Sequence, residues 1–547
     1  MNNSNLYLIG FSGSGKSTVG RDVAQALGWA FIDTDDEIVR RSGTSIDKIF
    51  ADIGEEGFRE VEHEVLATLA RGTHCVVSTG GGMVTEERNW RLMAESGVVV
   101  CLEARPETIA GRVSSGTAEP VRPMIDPGLV GRPVDDLKAE RQHLYARADW
   151  TVHTDRLTPV AVADEVVRAL KTLSADDRPE FGQDDDLAAV VRTGSGDYPI
   201  WVGFDGLGSV GERARKIVGP DVAYVIADEG SSRHARRAQA SLEASGIAAH
   251  IFILPAGEGN KTLQTVELVY RWLAGRRAER GHLIVAVGGG VVGDMAGYIA
   301  ATYLRGLPFV QVPTTLLAMV DASVGGKTGV DLRQGKNLVG AFHQPKFVLA
   351  DIATLKTLPP RTLTEGWAEV VKHALALDND LLDDMTRDVE ALKALDPALA
   401  TSLIRRSVAI KANIVSRDEH ETLGVRMLLN YGHTLGHALE STTGYGRFLH
   451  GEAVSIGMMA AAHMSVELGM LSEPELTRQR AVLEAYGLPV AATGVNVDAL
   501  KAAMLSDKKV RQGRVRWVLL DGLGHAVVRT DVSDETIDAA IRAVVAS

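Results

Sequence analysis

One glutamate and two histidines in the C-terminal half of the chain form a pattern typical of a metal site. They are Glu369, His433 in Asn-Tyr-Gly-His433-Thr-Leu-Gly-His437, and His450 in Leu-His450-Gly-Glu. One carboxylate oxygen and two imidazole nitrogens suit a catalytic divalent ion of the zinc type and leave coordination positions for substrate. His433 and His437 share a face of a predicted helix, and such a pair alone is more often structural. The metal prediction therefore rests on Glu369 and His450 as well.

A second motif lies near the N-terminus, where residues 10–17 read Gly-Phe-Ser-Gly-Ser-Gly-Lys-Ser. They fit G-x-x-x-x-G-K-[ST] between an apolar strand and a predicted helix, the context that a phosphate-binding P-loop requires. Backbone N–H groups would cradle the phosphates of ATP, Lys16 would neutralise the β and γ phosphates, and Ser17 would hold Mg²⁺. The residues predicted to contact the nucleotide are Gly13, Ser14, Gly15, Lys16, Ser17 and Thr18.

Two glycine-rich segments in the middle of the chain resemble nucleotide-binding motifs only weakly. Residues 288–293 match G-x-G-x-x-G after a strand, but no acidic residue has the spacing expected for ribose recognition. Asp228 and Glu258 are two alternatives for that role. Residues 325–328 look like the end of a P-loop, but Asp321 occupies the position of the first glycine. A second ATP site is therefore not expected.

The elements that must position these residues follow a simple order. Apolar strand-like runs alternate with helical patterns up to about residue 170, as in a parallel sheet with helices on both faces. An acidic segment follows, then a second α/β section, and the pattern becomes mainly helical from about residue 354. The predicted parts are a P-loop domain (1–171), an acidic linker (172–187), a second α/β part (188–353) and a mainly helical part that carries the candidate metal ligands (354–547).

Length and composition narrow the class of protein. The chain has 547 residues, too many for one hydrophobic core, so at least two domains are expected. Its net charge of −13 argues against nonspecific nucleic-acid binding. No segment is apolar enough to span a bilayer, and the first residues do not resemble a signal peptide. We expect a cytoplasmic protein that binds small molecules, with no nucleic-acid or membrane partner.

Residues 1–171 resemble shikimate kinase. Beyond the P-loop, the resemblance is carried by Asp33-Thr34-Asp35, Gly57-Phe58-Arg59-Glu60, Gly80-Gly81-Gly82, Val121-Arg122-Pro123 and Arg141-Gln-His-Leu-Tyr145. It implies that shikimate is held by Asp35, Arg59, Gly81 and Arg141. It also implies that Arg122 closes over the transferred phosphate with a lid, and that Asp33 lies near Mg²⁺ and the attacking hydroxyl. The residue types agree with this, because arginines pair well with a carboxylate and an aspartate accepts hydroxyl protons.

Residues from about 190 to the end resemble 3-dehydroquinate synthase. The resemblance is carried by residues 312–327, by Gly335-Lys336-Asn337 and by the metal triad. It implies Zn²⁺ or Co²⁺ on Glu369, His433 and His450. The implied NAD site consists of Asp228, Glu258, Lys261, Gly289, Gly290, Asp294, Thr314, Thr315 and Thr357.

The same resemblance assigns the substrate residues. The phosphate end would be held by Lys327, Asn337, Asn430, His437 and Lys508 or Lys509. Lys411 and Arg426 would take the carboxylate, while Asp321, Lys336 and Lys372 would contact substrate hydroxyls or metal-bound groups. The implied catalytic residues of this part are Asp321, Lys336, Lys372 and His437. Arg305 would reach the site of a partner subunit, which implies a homodimer through the C-terminal part.

Together the resemblances imply a bifunctional enzyme of the shikimate pathway. One half would phosphorylate shikimate to shikimate 3-phosphate with ATP. The other would convert 3-deoxy-D-arabino-heptulosonate 7-phosphate to 3-dehydroquinate and phosphate, with NAD regenerated in each turnover. The alternatives are a related sugar phosphate cyclase fused to another small-molecule kinase, a metal-dependent polyol dehydrogenase with net NADH production, and a nonenzymatic nucleotide-binding regulator.

Overall fold

The computed structural model describes residues 5–104, 108–109, 111–112, 144–145, 147–155, 157–172, 186–421, 424–444, 446–505, 510–511 and 514–546. The chain divides into two compact units, residues 1–182 and 183–547. Among the described helices, none combines the length and apolar composition needed to cross a lipid bilayer. Some predicted features lie outside the described residues: Arg122, Arg141, Lys508, Lys509, the lid segment 114–120 and most of the predicted linker.

The N-terminal unit is built on a five-stranded parallel sheet with strand order β2-β3-β1-β4-β5. Its strands are β1 (Asn5–Ile9), β2 (Ala30–Asp33), β3 (Cys75–Ser78), β4 (Gly97–Glu103) and β5 (Trp150–His153). Its helices are α1 (Lys16–Leu27), α2 (Thr34–Ser42), α3 (Ile46–Leu69), α4 (Glu87–Ser96) and α5 (Pro159–Thr172). β1 is buried along its whole length and lies at the centre of the sheet, so the loop after it stands at the middle of the carboxyl edge.

The C-terminal unit begins with a seven-stranded sheet of order β6-β7-β14-β11-β10-β8-β9, in which only the β6–β7 pair is antiparallel. Its strands are β6 (Leu187–Val191), β7 (Tyr198–Gly203), β8 (Val222–Asp228), β9 (Ala248–Leu254), β10 (Leu283–Gly288), β11 (Phe309–Pro313) and β14 (Val348–Asp351). Its helices are α6 (Val210–Ile217), α7 (Ser232–Ala244), α8 (Leu263–Gly275) and α9 (Gly290–Thr302). An antiparallel hairpin, β12 (Lys327–Leu332) and β13 (Gly335–Phe342), is inserted before β14.

A helical part follows the sheet. Its helices are α10 (Pro360–Leu377), α11 (Asn379–Arg387), α12 (Val389–Lys393), α13 (Pro397–Arg417), α14 (His433–Thr442), α15 (His450–Glu467), α16 (Glu473–Ala485), α17 (Val497–Leu505) and α18 (Asp534–Val544). Its short strands are β15 (Ala492–Thr493), β16 (Val510–Arg511), β17 (Arg514–Val515), β18 (Trp517–Leu520), β19 (Ala526–Arg529) and β20 (Val545–Ala546). α15 is apolar on all sides because α10, α14, α16 and α18 pack around it.

The predicted fold class is confirmed: a parallel P-loop sheet, then an α/β part, then a mainly helical part. The hairpin β12–β13 was not predicted, because its glycines and lysines resemble a loop motif more than alternating strands. β6 begins at Leu187, the last residue of the segment predicted to be a linker.

Candidate active sites

The P-loop of the N-terminal unit lies between the central strand β1 and helix α1. Lys16 is buried, and its Nζ donates hydrogen bonds to the carbonyl oxygens of Gly10 (2.9 Å) and Phe11 (3.0 Å). α1 begins at Lys16 itself, so the first turn of the helix supplies N–H groups at the same place. A loop, a buried ammonium and a helix N-terminus together form a site for the phosphates of a nucleotide.

Ser17 and the carboxylates after β2 lie beside this loop. The Ser17 hydroxyl donates to Asp33 Oδ2 at 2.7 Å, and Asp33 Oδ1 accepts from the backbone N–H of Asp35 at 3.0 Å. Asp33 thereby caps the N-terminus of α2 and holds the buried Asp35 at the carboxyl edge of the sheet. A hydroxyl and a carboxylate at this separation are oxygen ligands of the kind that Mg²⁺ prefers.

Arg59 and Gly81, two of the predicted shikimate residues, approach the same edge. Arg59 lies on α3 and is 8% exposed, and its guanidinium pairs with the buried carboxylate of Glu62. Burial lowers the pKa of Arg59, but Glu62 and Glu55 raise it more, so the guanidinium stays charged. Gly81 follows β3, and a Cβ added there would lie 3.5 Å from the Ser12 backbone nitrogen. Gly81 thus lies beside the P-loop, and a Cβ at the neighbouring Gly82 would meet the Arg59 guanidinium.

In the C-terminal unit, the predicted NAD residues gather at the carboxyl edge of the seven-stranded sheet. Asp228 ends β8, Gly288 ends the neighbouring β10, and Thr314 follows β11 and donates its N–H to the Gly288 carbonyl at 2.9 Å. α9 begins at Gly290 immediately after the turn. A Cβ at Gly289 would lie 3.1 Å from the Thr315 side chain, so a larger residue would require Thr315 to shift. This edge of an open α/β sheet is where dinucleotides bind.

Lys261 joins this edge to the hairpin. The side chain is 3% exposed, and Nζ donates to Asp294 Oδ2 and to Asn337 Oδ1, both at 2.6 Å. Burial lowers the pKa of Lys261, but Asp294 and Glu258 raise it overall. Glu258 lies just before it, in a 3₁₀ turn. Four predicted site residues therefore form one connected group.

Thr357 lies at the end of the 3₁₀ segment Ile352–Thr357. Its hydroxyl donates to the carbonyl of Thr354 at 2.7 Å and is bonded to His234 Nε2 at 2.9 Å. The hydroxyl has one proton, so Nε2 must be the donor to Thr357. Burial lowers the pKa of His234, which agrees with a neutral ring. His234 is a neighbour of the NAD residues that the sequence did not indicate.

The predicted metal ligands come together from three helices. Glu369 lies in the middle of α10, His433 begins α14 and His450 begins α15. Glu369 Oε1 lies 3.7 Å from His433 Nε2 and 3.9 Å from His450 Nε2, and the three ligand atoms lie within 4.8 Å of one another. Glu369 is fully buried, yet Oε1 has no hydrogen-bond partner among the described residues. A divalent ion satisfies such a group, so these residues fit the predicted metal.

The two histidines are oriented by hydrogen bonds from their other ring nitrogens. His433 Nδ1 faces the Tyr431 carbonyl oxygen at 3.2 Å, and His450 Nδ1 faces Glu440 Oε2 at 3.1 Å. Burial raises the pKa of Glu440, but His450 and Lys336 lower it to about 2. In both rings Nδ1 contacts another residue, while Nε2 lies 3.7 Å (His433) or 3.9 Å (His450) from Glu369 Oε1, so Nε2 is the nitrogen that would bind a metal. The sequence did not predict Glu440, although its spacing of seven from His433 places it on the same helical face.

The turn that starts α14 depends on Gly432. Its φ is +80°, and an added Cβ would meet the Met458 nitrogen and the Val454 carbonyl oxygen at 2.7 Å. Gly432→Ala must therefore displace His433 or α15. We expect it to lower the free energy of unfolding by about 1–3 kcal/mol and to weaken zinc binding. Denaturant unfolding and a chelator competition assay measure the two effects.

Gly444→Ala is the matched control for this prediction. Gly444 also has a positive φ of +78°, but a Cβ there has no neighbour within 4 Å. Gly444→Ala therefore places an alanine at a positive φ, as Gly432→Ala does, but without a steric clash of the added Cβ. It should bind zinc with wild-type affinity. Equal zinc affinity in the two variants would contradict the role given to the Gly432 turn.

One fully buried ion pair and one partly buried ion pair lie beside the predicted metal ligands. Lys372, one turn after Glu369, pairs with its Oε2 and is 1% exposed. Asp321 lies in a π-helical turn and accepts hydrogen bonds from Lys411 Nζ through its carboxylate and its backbone carbonyl. Burial raises the pKa of Asp321, but Lys411 and Lys372 hold it well below its usual range. The site thus contains fixed charges of both signs.

A second cationic group borders Lys411. Arg426 is 3% exposed and donates to the Glu419 carbonyl at 2.8 Å. Glu421 contacts both Arg426 Nε, at 3.4 Å, and the ammonium of Lys327. Lys411, Arg426 and Lys327 are the predicted ligands of the substrate's carboxylate and phosphate. The carboxylate of Glu421 pairs with Arg426 and Lys327, where an anionic group of the substrate would bind.

Three other predicted substrate-binding or catalytic residues, Asn430, His437 and Arg305, lie at different places in the C-terminal unit. Asn430 ends a 3₁₀ segment directly before the ligand turn. The His437 ring lies 5.4 Å from that of His433 and 6.0 Å from that of His450, measured between centroids. Arg305 is exposed in a turn with positive φ.

Comparison with known proteins identifies the two units. The family model described as 3-dehydroquinate synthase N-terminal matches residues 251–365, and that described as 3-dehydroquinate synthase C-terminal matches residues 366–510. The 3-dehydroquinate synthase of Prochlorococcus marinus is 41% identical over 365 residues, which is 66% of this chain and 99% of the relative. The chain belongs to the 3-dehydroquinate synthase family. The shikimate kinase model matches residues 12–171, so a shikimate kinase domain is fused to the synthase.

Two solved structures resemble the synthase unit. The 2-epi-5-epi-valiolone synthase of Streptomyces hygroscopicus, with NAD⁺ and Zn²⁺ bound, is 28% identical, covers 68% of this chain and 98% of its own, and has a TM-score of 0.58. A 2-deoxy-scyllo-inosose synthase complexed with carbaglucose-6-phosphate, NAD⁺ and Co²⁺ is also 28% identical. It covers 65% of this chain and 99% of its own, with a TM-score of 0.58.

Proposed function

We propose that the protein is a bifunctional enzyme of the shikimate pathway. Its N-terminal unit phosphorylates shikimate to shikimate 3-phosphate with ATP and Mg²⁺. Its C-terminal unit converts 3-deoxy-D-arabino-heptulosonate 7-phosphate to 3-dehydroquinate and phosphate. The observation that carries the second activity is the convergence of Glu369, His433 and His450, with an unpartnered Glu369 oxygen among the described residues, beside fixed cations in a chain of this family.

In the kinase, the chain's contribution is positioning and charge. The Lys16 ammonium leaves the carbonyls of Gly10 and Phe11 and turns to the phosphates when nucleotide binds. Ser17 and Asp33 would hold Mg²⁺, and Asp33 would accept the proton of the attacking hydroxyl. Asp35 and Arg59 hold shikimate, the phosphate acceptor, in a fixed position. Its hydroxyl then reacts with the bound nucleotide without the entropy loss of a bimolecular encounter.

In the synthase, Glu369, His433 and His450 would hold Zn²⁺ or Co²⁺, which would supply a Lewis acid for a hydroxyl or ketone oxygen. The sheet edge from Asp228 to Thr314 would hold NAD, which would supply reversible hydride transfer and so would be regenerated in each turnover. Lys372 pairs with the other carboxylate oxygen of Glu369, and the carboxylate of Asp321 would hold a substrate hydroxyl.

The cationic groups then distinguish the two ends of the substrate. Lys411 and Arg426 take its carboxylate, and Lys327 with His437 takes its phosphate. These ammonium, guanidinium and imidazole groups stabilise the charge that develops as phosphate leaves, because they are fixed before substrate arrives. Glu421 is displaced from Lys327 when the phosphate binds.

The test is to supply the heptulosonate phosphate with NAD⁺ and zinc. Phosphate should be released with no net NADH, and 3-dehydroquinate should accumulate. Net NADH would support a polyol dehydrogenase instead. A different carbocycle from a substrate without a carboxylate would support a related cyclase, a possibility raised by the two solved neighbours. The 41% identity to a full-length 3-dehydroquinate synthase favours the first outcome.

We also propose a homodimer formed through the synthase unit, in the cytoplasm, where ATP and NAD are available. Large apolar side chains are exposed on and near the hairpin: Leu304 (40%), Leu332 (38%), Leu338 (41%) and Phe342 (48%). A second copy of the chain would cover this surface, and Arg305 stands beside Leu304, where it could enter the partner's site.

The dimer is tested by Leu338→Asp combined with Phe342→Asp. Two carboxylates on this surface should weaken association roughly 100-fold or more, because each would have to be desolvated in the interface. Analytical ultracentrifugation should show a monomer. Leu268→Asp, on an exposed side chain of α8 at 53%, is the control and should leave the sedimentation unchanged. A wild-type monomer would refute the proposed dimer.

A further inference from the structure

Glu440 occupies a connecting position between the metal ligands and the hairpin. It lies on α14, two turns after His433, and its side chain is 5% exposed. One carboxylate oxygen faces His450 Nδ1 at 3.1 Å, and the other accepts from Lys336 Nζ at 3.0 Å. Lys336 belongs to β13, whereas Glu440 and His450 belong to the helical part. Both oxygens of this buried carboxylate are therefore engaged, each by a different residue of the site.

The Glu440 contact fixes the state of the His450 ring. An ionised carboxylate can only accept, so the hydrogen that His450 shares with Glu440 Oε2 must be on Nδ1. The neutral ring then has its lone pair on Nε2, the nitrogen that lies 3.9 Å from Glu369 Oε1. A carboxylate behind a histidine ligand both orients the ring and makes it a better donor to a metal.

We propose that Glu440 is a positioning residue of the synthase: it holds His450 in the tautomer and orientation that bind the metal, and it anchors Lys336 beside the site. The inference rests on the proposed function of this unit. It assigns the metal affinity to the Glu440–His450 bond and not to the Lys336–Glu440 pair. The two contacts can therefore be tested separately.

A competing role for Glu440 is direct metal ligation. His437, Glu440 and His450 also offer three ligand atoms within 4.8 Å of one another. However, the Glu440 oxygens already pair with Lys336 and His450, and an ammonium at 3.0 Å would repel a second cation. Positioning therefore explains the contacts of Glu440 better than a second ion does. The number of zinc ions bound per chain separates the two roles.

Glu440→Gln tests the proposal with little change of shape. An amide has one oxygen and one NH₂ group, so a donor must face either His450 Nδ1–H or Lys336, and one contact is lost. The zinc affinity of the metal-free full-length protein should fall roughly 10- to 100-fold in a chelator competition assay. Lys336→Met keeps the Glu440–His450 bond and should bind zinc within about threefold of wild type.

Asp378→Asn is the matched structural control. Asp378 is a partly buried carboxylate of the same helical part and pairs with Arg406 at 2.6 Å. The Asp378→Asn substitution should lower the melting temperature of the protein without changing its zinc affinity. Glu440→Gln with wild-type zinc affinity would overturn the proposal, and so would a zinc loss in Lys336→Met as large as in Glu440→Gln.

Three further outcomes are distinct. Two zinc ions bound per wild-type chain, with one lost in Glu440→Gln, would make Glu440 a ligand and overturn the positioning role. If Glu440→Gln does not fold, Lys336→Met still decides, because a zinc loss there contradicts the assignment and normal affinity supports it. A wild-type protein that binds zinc but releases no phosphate would refute the proposed function and leave the Glu440 result unaffected.

Discussion

His433→Ala should abolish the synthase activity and leave the kinase activity intact. The substitution removes one of three protein ligands, and Glu369 with His450 alone should hold zinc poorly. Phosphate release from the heptulosonate phosphate should fall roughly 1,000-fold or more, because no Lewis acid remains to polarise the substrate. Metal analysis after dialysis should show less than one zinc per chain. Shikimate phosphorylation by the same preparation is the internal control.

His437→Ala, one helical turn further along α14, distinguishes ligand from neighbour. The His437 ring lies 5.4 Å from that of His433, but we assign it to the phosphate end of the substrate. The variant should keep its zinc and lose turnover. If His437→Ala loses zinc while His433→Ala retains it, the two roles are reversed. Loss of kinase activity in either variant would contradict the separation of the two sites.

The sequence predicted the metal triad because its signal is chemical. A glutamate and two histidines in motifs that contain glycine indicate a ligand by residue type alone, whereas α15 is apolar on all sides and its pattern defines no single buried face. The structure places their ligand atoms within 4.8 Å of one another although the three residues are far apart along the chain. The same holds for the P-loop, whose glycines, lysine and serine are contiguous. Site residues that are contiguous in the chain, or that belong to chemically specific residue types, can therefore be predicted without knowledge of the tertiary contacts.

Other parts of the site depend on tertiary contacts and could not be predicted. Glu440 looks like an ordinary helical glutamate until His450 and Lys336 are placed against it. His234 becomes a neighbour of the NAD residues only through its bond to Thr357, 123 residues away. The hairpin β12–β13 follows from backbone pairing between glycine-rich segments, for which apolar alternation gives no signal.

The kinase activity should in turn depend on a residue that the synthase does not use. Lys16→Met removes the ammonium that donates to the Gly10 and Phe11 carbonyls and that would neutralise the nucleotide phosphates. The methionine has a similar length and is tolerated in a buried position. Shikimate phosphorylation should fall roughly 1,000-fold, because positive charge placed beside the transferred phosphoryl group is a large part of catalysis by such enzymes.

Phosphate release from the heptulosonate phosphate by Lys16→Met should stay near the wild-type value, since the metal ligands and cations of the synthase all lie in residues 183–547. The matched control is Arg21→Met, which removes a cation further along α1, outside the P-loop, and should retain kinase activity. A parallel loss of both activities in Lys16→Met would mean that the two sites are not independent. A kinase that survives the substitution would mean that the buried Lys16 ammonium serves the fold of the loop and not the phosphates.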